Sequence, residues 1–196
     1  MTKSKLFAII TCAVLSVCSL TACNNSSTSS SSVAQSAYEK HECQDITFEI
    51  PSELKEDNET DNYYCLSKNE QDNNYICVSP AEYYDKCDNE SIKNSKETYK
   101  TTAKQFKATI EFQDEGKIFV KDREGFFIKS KYSSEENANL NGLEEISLFF
   151  NIKNKESDDL DYTDKENHTI IVNFCGKYAT KEQMQHFIDS IDFKDR

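Results

Sequence analysis

Cysteine is the residue type with the most chemistry to offer in this chain, and its eight copies are not equivalent. Cys23 stands directly after Leu20-Thr21-Ala22, where two small side chains leave the backbone uncrowded for a peptidase, and directly before a serine-rich tract. Five cysteines follow it: Cys43, Cys65, Cys77, Cys87 and Cys175. No two of these are spaced C-x-x-C, so neither a thioredoxin-like redox pair nor a zinc knuckle is supported. Cys65 and Cys77 flank the polar turn Asn69-Glu-Gln-Asp-Asn-Asn74, and a hairpin centred near Gln71 would set them opposite each other as a candidate disulfide. An odd count leaves at least one thiol free or paired between molecules, and the connectivity stays open.

The other reactive residue types are sparse. Histidine occurs at His41, His168 and His186. A Cys/His nucleophile pair needs a thiolate held by the imidazole. His168 and Cys175 are seven residues apart on one expected strand, hence on opposite faces and ~23 Å apart at 3.3 Å per residue. His186 would reach Cys175 only if the last helix packed that way. Asp158-Asp-Leu-Asp161-Tyr-Thr-Asp164-Lys-Glu166 is the richest oxygen-ligand cluster. An EF-hand loop starting at Asp159 would need glycine where Asp164 stands and glutamate where Ile170 stands. The segment is therefore expected to be a solvated acidic loop, with an irregular cation site as its alternative. Tyr63-Tyr64 and Tyr83-Tyr84 are expected in packing rather than in ligand stacking. The chain holds no G-x-S-x-G, H-E-x-x-H or G-x-x-x-x-G-K-[ST] pattern. Its four glycines, Gly116, Gly125, Gly142 and Gly176, are too scattered for a phosphate-cradling loop. No cofactor or metal is expected.

What precedes Cys23 explains its chemistry. Lys3 and Lys5 give a basic start, and Leu6 to Val17 supplies about a dozen mostly apolar residues, the length of a signal-peptide core and short of the ~20 that span a bilayer. Basic start, apolar run, L-T-A-C and polar tract together resemble the lipobox of bacterial lipoproteins. The resemblance implies that residues 1–22 are a signal peptide and that Cys23 becomes the first residue of the mature chain. It further implies a thioether-linked diacylglycerol on Cys23, holding the protein on the extracytoplasmic face of the cell membrane. Two acyl chains, at ~0.8 kcal/mol per buried methylene, suffice for stable anchoring.

Of the 23 basic residues only Lys3 and Lys5 lie in that leader, and none of the 35 acidic ones does. The rest of the chain thus carries 21 basic against 35 acidic residues, a formal charge of −14. Nucleic acid is excluded as a partner on that balance. An anionic bilayer or wall polymer gains nothing from it either, so anchoring is expected to rest on the lipid. Residues 23–40 read as the lipidated cysteine and a flexible serine-rich tether with an r.m.s. reach of about 20 Å. Residues 41–196 read as one globular domain, too small for a two-lobed solute-binding lipoprotein.

The elements of that domain follow from periodicity. Ile46-Thr-Phe-Glu-Ile50 alternates up to Pro51 and predicts a strand. Tyr63–Leu66 and Tyr75–Val78 predict the hairpin around Gln71. Ile92, Tyr99, Ala103, Phe106 and Ile110 share one face of a predicted helix capped by Asn89 or Ser91, with lysines and glutamates on the other face. Strands are predicted over 117–121, 125–132, 145–152 and 168–175, joined as an antiparallel meander. Thr180-Lys-Glu-Gln183 matches a capping box for a last helix with an apolar stripe of Met184, Phe187, Ile188 and Ile191. Phe149 and Ile171 place apolar groups on the second sheet face, so both faces must be covered. The expected fold is α+β: an antiparallel sheet of about six to seven strands covered by two amphipathic helices.

Phe48-Glu-Ile-Pro51 and Phe187-Ile-Asp-Ser-Ile-Asp-Phe193, within this element order, are similar to the PsbP-like fold. That resemblance carries no shared catalytic set and implies a scaffold for protein or ligand contacts. The expected function is a membrane-anchored, non-enzymatic binding or assembly module with a protein or small-molecule partner in the cell envelope. The alternatives are a small-ligand carrier and a thiol-dependent enzyme using an unpaired cysteine.

Overall fold

The computed structural model describes residues 37–43, 46–57, 64–67, 73–81, 87–152 and 169–194. Two antiparallel sheets and two helices account for most of them. In the smaller sheet, β2 (Ile46–Pro51) is the central strand between β1 (Tyr38–Cys43) and β10 (Asp192–Phe193). The alternation of Ile46, Phe48 and Ile50 buries one face of β2 completely. The larger sheet contains β3 (Glu56–Asp57), β4 (Tyr64–Ser67), β5 (Tyr75–Ala81), β6 (Thr109–Val120), β7 (Arg123–Ser133), β8 (Glu144–Asn151) and β9 (Thr169–Cys175). Their order is β3-β4-β5-β9-β8-β7-β6, every pair antiparallel. The antiparallel sheet covered by two helices that the sequence predicts does form, but not as the single sheet expected. β2, predicted as its first strand, belongs to a separate sheet, because alternation specifies which face of a strand is buried and not which strand lies beside it. β1 begins at Tyr38, inside the stretch expected to close the tether.

Helix α1 (Asn89–Gln105) carries the chain from β5 across the sheet to β6 at the far edge. Its N-cap is Asp88, one residue before the expected Asn89 and three before Ser91. The Asp88 Oδ1 accepts from the amides of Glu90 and Ser91, both at 3.0 Å. The helix ends before Phe106, and Lys107 turns the chain with φ of 56°. Ile110, predicted on the helical stripe, stands in β6. It still packs in the same cluster as Ile92 and Tyr99, so its helical spacing reflects a shared core and not a shared helix. Helix α2 (Lys181–Ser190) is capped as expected, with Thr180 Oγ1 accepting from the Gln183 amide at 3.1 Å.

The two helices lie on opposite faces of the larger sheet. On one face α2 and the smaller sheet enclose Phe48, Phe187 and Phe174, with ring centroids 5.0 and 5.6 Å apart, together with Ile146, Leu148, Phe150, Ile170 and Val172. On the other face α1 covers Phe126, Ile128, Phe149 and Ile171. Strand β6 changes allegiance along its length. Ile110 and Phe112 face α1, the register then slips between Phe112 and Asp114, and beyond the bulge Asp114 and Ile118 face α2. Glu115, Lys117 and Phe119 consequently take the α1 side.

Candidate functional site

The most concentrated chemistry lies beneath α1. β8 directs Glu145 and Ser147 toward the helix, and β9 directs Asn173 and Cys175 the same way, with Ser147 opposite Asn173 and Glu145 opposite Cys175. Tyr99 reaches down from α1. Its hydroxyl donates to Ser147 Oγ at 2.9 Å, and Ser147 donates to Glu145 Oε1 at 2.7 Å. Asn173 Nδ2 donates to Glu145 Oε1 and to Ser147 Oγ, both at 3.0 Å. The Cys175 thiol lies 3.7 Å from Glu145 Oε2. Tyr99, Glu145, Ser147 and Cys175 are all buried.

Burial raises the Glu145 carboxyl above its ordinary value, and the hydrogen bonds from Ser147, Asn173 and Cys175 only partly oppose it. Burial likewise drives the Tyr75 and Tyr132 phenols well above 10, with Cys175 and Glu145 adding to the first and Glu145 and Tyr99 to the second. A carboxyl, an amide, a hydroxyl, a thiol and the Tyr99 phenol thus meet in a site where they bond to one another. Such a site can store a proton. Glu145, Ser147 and Asn173 were not singled out from sequence. The available signal was three polar residues on a strand face otherwise filled by Phe149 and Ile171.

The residues singled out for nucleophilic chemistry are not brought together. Cys175 packs with Ala103 on the α1 side, whereas His186 sits on α2, stacked on Tyr38 at 3.6 Å with its Nε2 3.4 Å from the Glu49 carboxylate. The sheet separates them. Burial pushes the Cys43 thiol up to about 12 and that of Cys87 up to about 11, with Glu124 and Asp88 adding to the latter. The Cys87 thiol donates to the Glu124 carbonyl at 3.3 Å. Neither offers a thiolate near neutral pH. His41 lies beside Phe48 with ring centroids 6.3 Å apart. The backbones of Cys65 and Cys77 are register partners across β4 and β5, as the hairpin centred on Gln71 requires. Cys23, His168, Tyr63, Tyr83, Tyr84 and the acidic run Asp158 to Glu166 lie outside the described residues, and among the described residues no cluster of metal-ligating groups occurs.

A second feature is on the surface. A groove of about 280 Å³ runs between α1 and β6, lined by Lys93, Lys96 and Lys100 with Glu97, Glu115 and Ile92. Lys96 pairs with Glu115 and Lys100 with Glu97. Both ammonium groups stand over the Phe112 ring, at 4.9 and 5.9 Å from its centroid.

The fold has relatives among solved structures. The chain superposes on the cyanobacterial PsbP protein (CyanoP) of Synechocystis sp. PCC 6803 with a TM-score of 0.51 at 8% identity, covering 85% of this chain and 98% of that one. It also matches the Ran-binding protein Mog1p of Saccharomyces cerevisiae with a TM-score of 0.48 at 11% identity, covering 81% and 96%. At these identities the likeness is one of fold, and it agrees with the PsbP-like resemblance of the sequence. No family model matches the chain, and no curated protein matches it in sequence.

Proposed function

We propose that this chain is a non-enzymatic binding or assembly module, tethered to the extracytoplasmic face of the cell membrane by a diacylglycerol on Cys23, with a protein of the cell envelope as its partner. The observation that carries the binding role is the state of the reactive side chains. Glu145, Ser147, Asn173 and Tyr99 are bound to one another out of reach of a substrate, and the Cys43 and Cys87 thiols are buried and held protonated. The anchor rests on the residues around Cys23. Among the described residues no helix is long and apolar enough to cross a membrane.

Crosslinking of the full-length chain in its native membrane, followed by mass spectrometry, tests the proposal. Reproducible enrichment of one or a few envelope proteins is expected, together with release of a Cys23→Ser variant from the membrane. No enriched protein under several growth conditions would remove the binding role. A Cys23→Ser chain that stayed membrane-bound would remove the anchor. Iodoacetamide labelling against pH addresses the thiol-enzyme alternative: a cysteine titrating well below ~8.5 would favour it.

A further inference from the structure

Helix α1 sorts its charges in a way that solubility does not require. Lys93, Lys96, Lys100 and Lys104 recur at spacings of three and four, which sets them along the flank that overhangs β6. The opposite flank carries Asn94, Thr98, Thr101, Thr102 and Gln105, with no charge. The three threonine hydroxyls there turn back onto carbonyls of their own helix, at 3.1, 2.9 and 2.9 Å. Lysine is thus gathered on one side of one helix, in a chain whose acids outnumber its bases by 35 to 23.

The strand under that flank is a free edge. β6 closes the order of the larger sheet, and among the described residues it pairs only with β7. An edge strand presents a row of unpaired amides and carbonyls that can accept another strand. The bulge after Phe112 interrupts this edge, but Asp114 to Val120 runs on in regular register over about 23 Å at 3.3 Å per residue. At its far end Phe119 is 64% exposed, the one large apolar side chain so exposed among the described residues.

We propose that the free edge of β6 and the lysine flank of α1 form one docking surface, which takes an extended acidic segment of a protein partner as an added strand of the larger sheet. This deepens the binding-module reading and rests on it. Backbone pairing with Asp114 to Val120, in which the Glu115 amide exchanges the Asp114 Oδ1 it donates to at 2.9 Å for a carbonyl of the added strand, would supply the hydrogen bonds, as in other strand-addition complexes. Alternate side chains of the added strand would project on the α1 side, beneath Lys93, Lys96 and Lys100. Their carboxylates would replace Glu97 and Glu115, which are exposed partners weakly held in water. One apolar side chain would cover Phe119. The remaining acids of the chain do not forbid this, because charges beyond roughly 8–10 Å are screened at physiological salt. A second copy of this chain fits less well: β6 paired antiparallel with its own copy would set two lysine flanks of α1 against each other.

The test is a fluorescence-anisotropy titration of the full-length chain, in detergent micelles, with a capped octapeptide of alternating glutamate and valine. Saturable binding is expected, weakening steeply with salt. The surface variant Lys93→Glu/Lys96→Glu/Lys100→Glu should lower affinity by about tenfold or more, while Thr101→Glu on the neutral flank has little effect. A peptide N-methylated at every second residue, on the edge that meets β6, should not bind. Absence of binding by the unmodified octapeptide overturns the proposal. So does equal binding by the N-methylated peptide or by inorganic polyphosphate, which would mark a simple polyanion site. Dimerisation that the triple variant abolishes, with no peptide binding, would assign the surface to a second copy instead. A crosslinked partner retained by the triple variant overturns this surface and leaves the module reading intact. Peptide binding without any crosslinked partner does the reverse.

Discussion

The two faces of the larger sheet are built to different rules. The α2 face is a continuous apolar layer: Phe48, Phe187 and Phe174 interlock, Ile146, Leu148, Phe150, Ile170 and Val172 complete it, and among the described residues it holds no buried carboxyl. The α1 face begins as an aromatic cluster, with Phe126 and Phe149 stacked at 4.4 Å, and then gives way to Tyr99, Ser147, Glu145, Asn173 and Cys175. An apolar layer stabilises in proportion to the area it removes from water, at any pH. A buried polar layer stabilises only while its hydrogen bonds are complete, and burial makes its carboxyl costly to ionise. The fold is therefore fastened from the α2 side, and the α1 side is the conditional one.

The largest effect should come from the fastened side. Phe187 is fully buried between Phe48 and Phe174. Phe187→Ala is expected to cost about 3–5 kcal/mol in urea unfolding. A loss below about 1 kcal/mol would mean that α2 and the smaller sheet are not the principal core, and the contrast between the faces would fail.

Glu145→Gln probes the conditional side and should act in the opposite direction. The folded-state pKa of Glu145 is raised above its unfolded value, so the folded chain holds this proton more tightly. Its contribution is then complete below the ordinary carboxylate range, is lost as pH rises through the raised value, and is level above it. Glutamine can still accept from Ser147 and Asn173 but never ionises. At pH 7 the variant should be the more stable by about 1–2 kcal/mol, with the two proteins converging toward pH 4. Urea midpoints measured across pH 4–8 decide this. A difference independent of pH, or a less stable variant at pH 7, would remove the charge from the comparison.

How much of this was legible before the structure depends on which face a residue serves. β7, β8 and β9 were readable because each holds a run of three apolar residues, Phe126 to Ile128, Leu148 to Phe150 and Ile170 to Val172, and Pro51 marked the end of β2. The opposition of Cys65 and Cys77 followed from a turn centre alone. β1 left no signal, since Glu39, Lys40 and Glu42 are exposed beside a polar tether. The first half of β6 was hidden for two reasons: Ile110 falls at helical spacing from Phe106, and Glu111 and Gln113 point to solvent. The Glu145 site was illegible because it exists only through pairing. Ser147 and Asn173 are 26 residues apart and become neighbours through the register of β8 and β9. A polar residue at a strand end looks solvent-facing until the helix above it is placed.

The helix caps sharpen the comparison at the smallest scale. Asp88 and Thr180 perform the same task, accepting from the first free amides of α1 and α2. In isolation the loss of either costs typically about 1 kcal/mol. What that loss does to the whole molecule depends on how firmly the first turn is tied down. The first buried side chains of α2, Gln183 and Met184, follow Thr180 within four residues, and Phe187 locks the next turn into the apolar layer. α1 spreads Ile92, Ser95, Tyr99 and Ala103 over 17 residues, and its C-terminal half rests on the polar site. Thr180→Ala should therefore lower global stability by about 1 kcal/mol. Asp88→Ala should lower it by less than about 0.5 kcal/mol and instead speed amide exchange in the first turns of α1 through local opening. Native-state hydrogen exchange separates the two outcomes. Equal global losses would show that α1 is as tightly coupled to the core as α2, and that the polar layer beneath it is no softer than the apolar one.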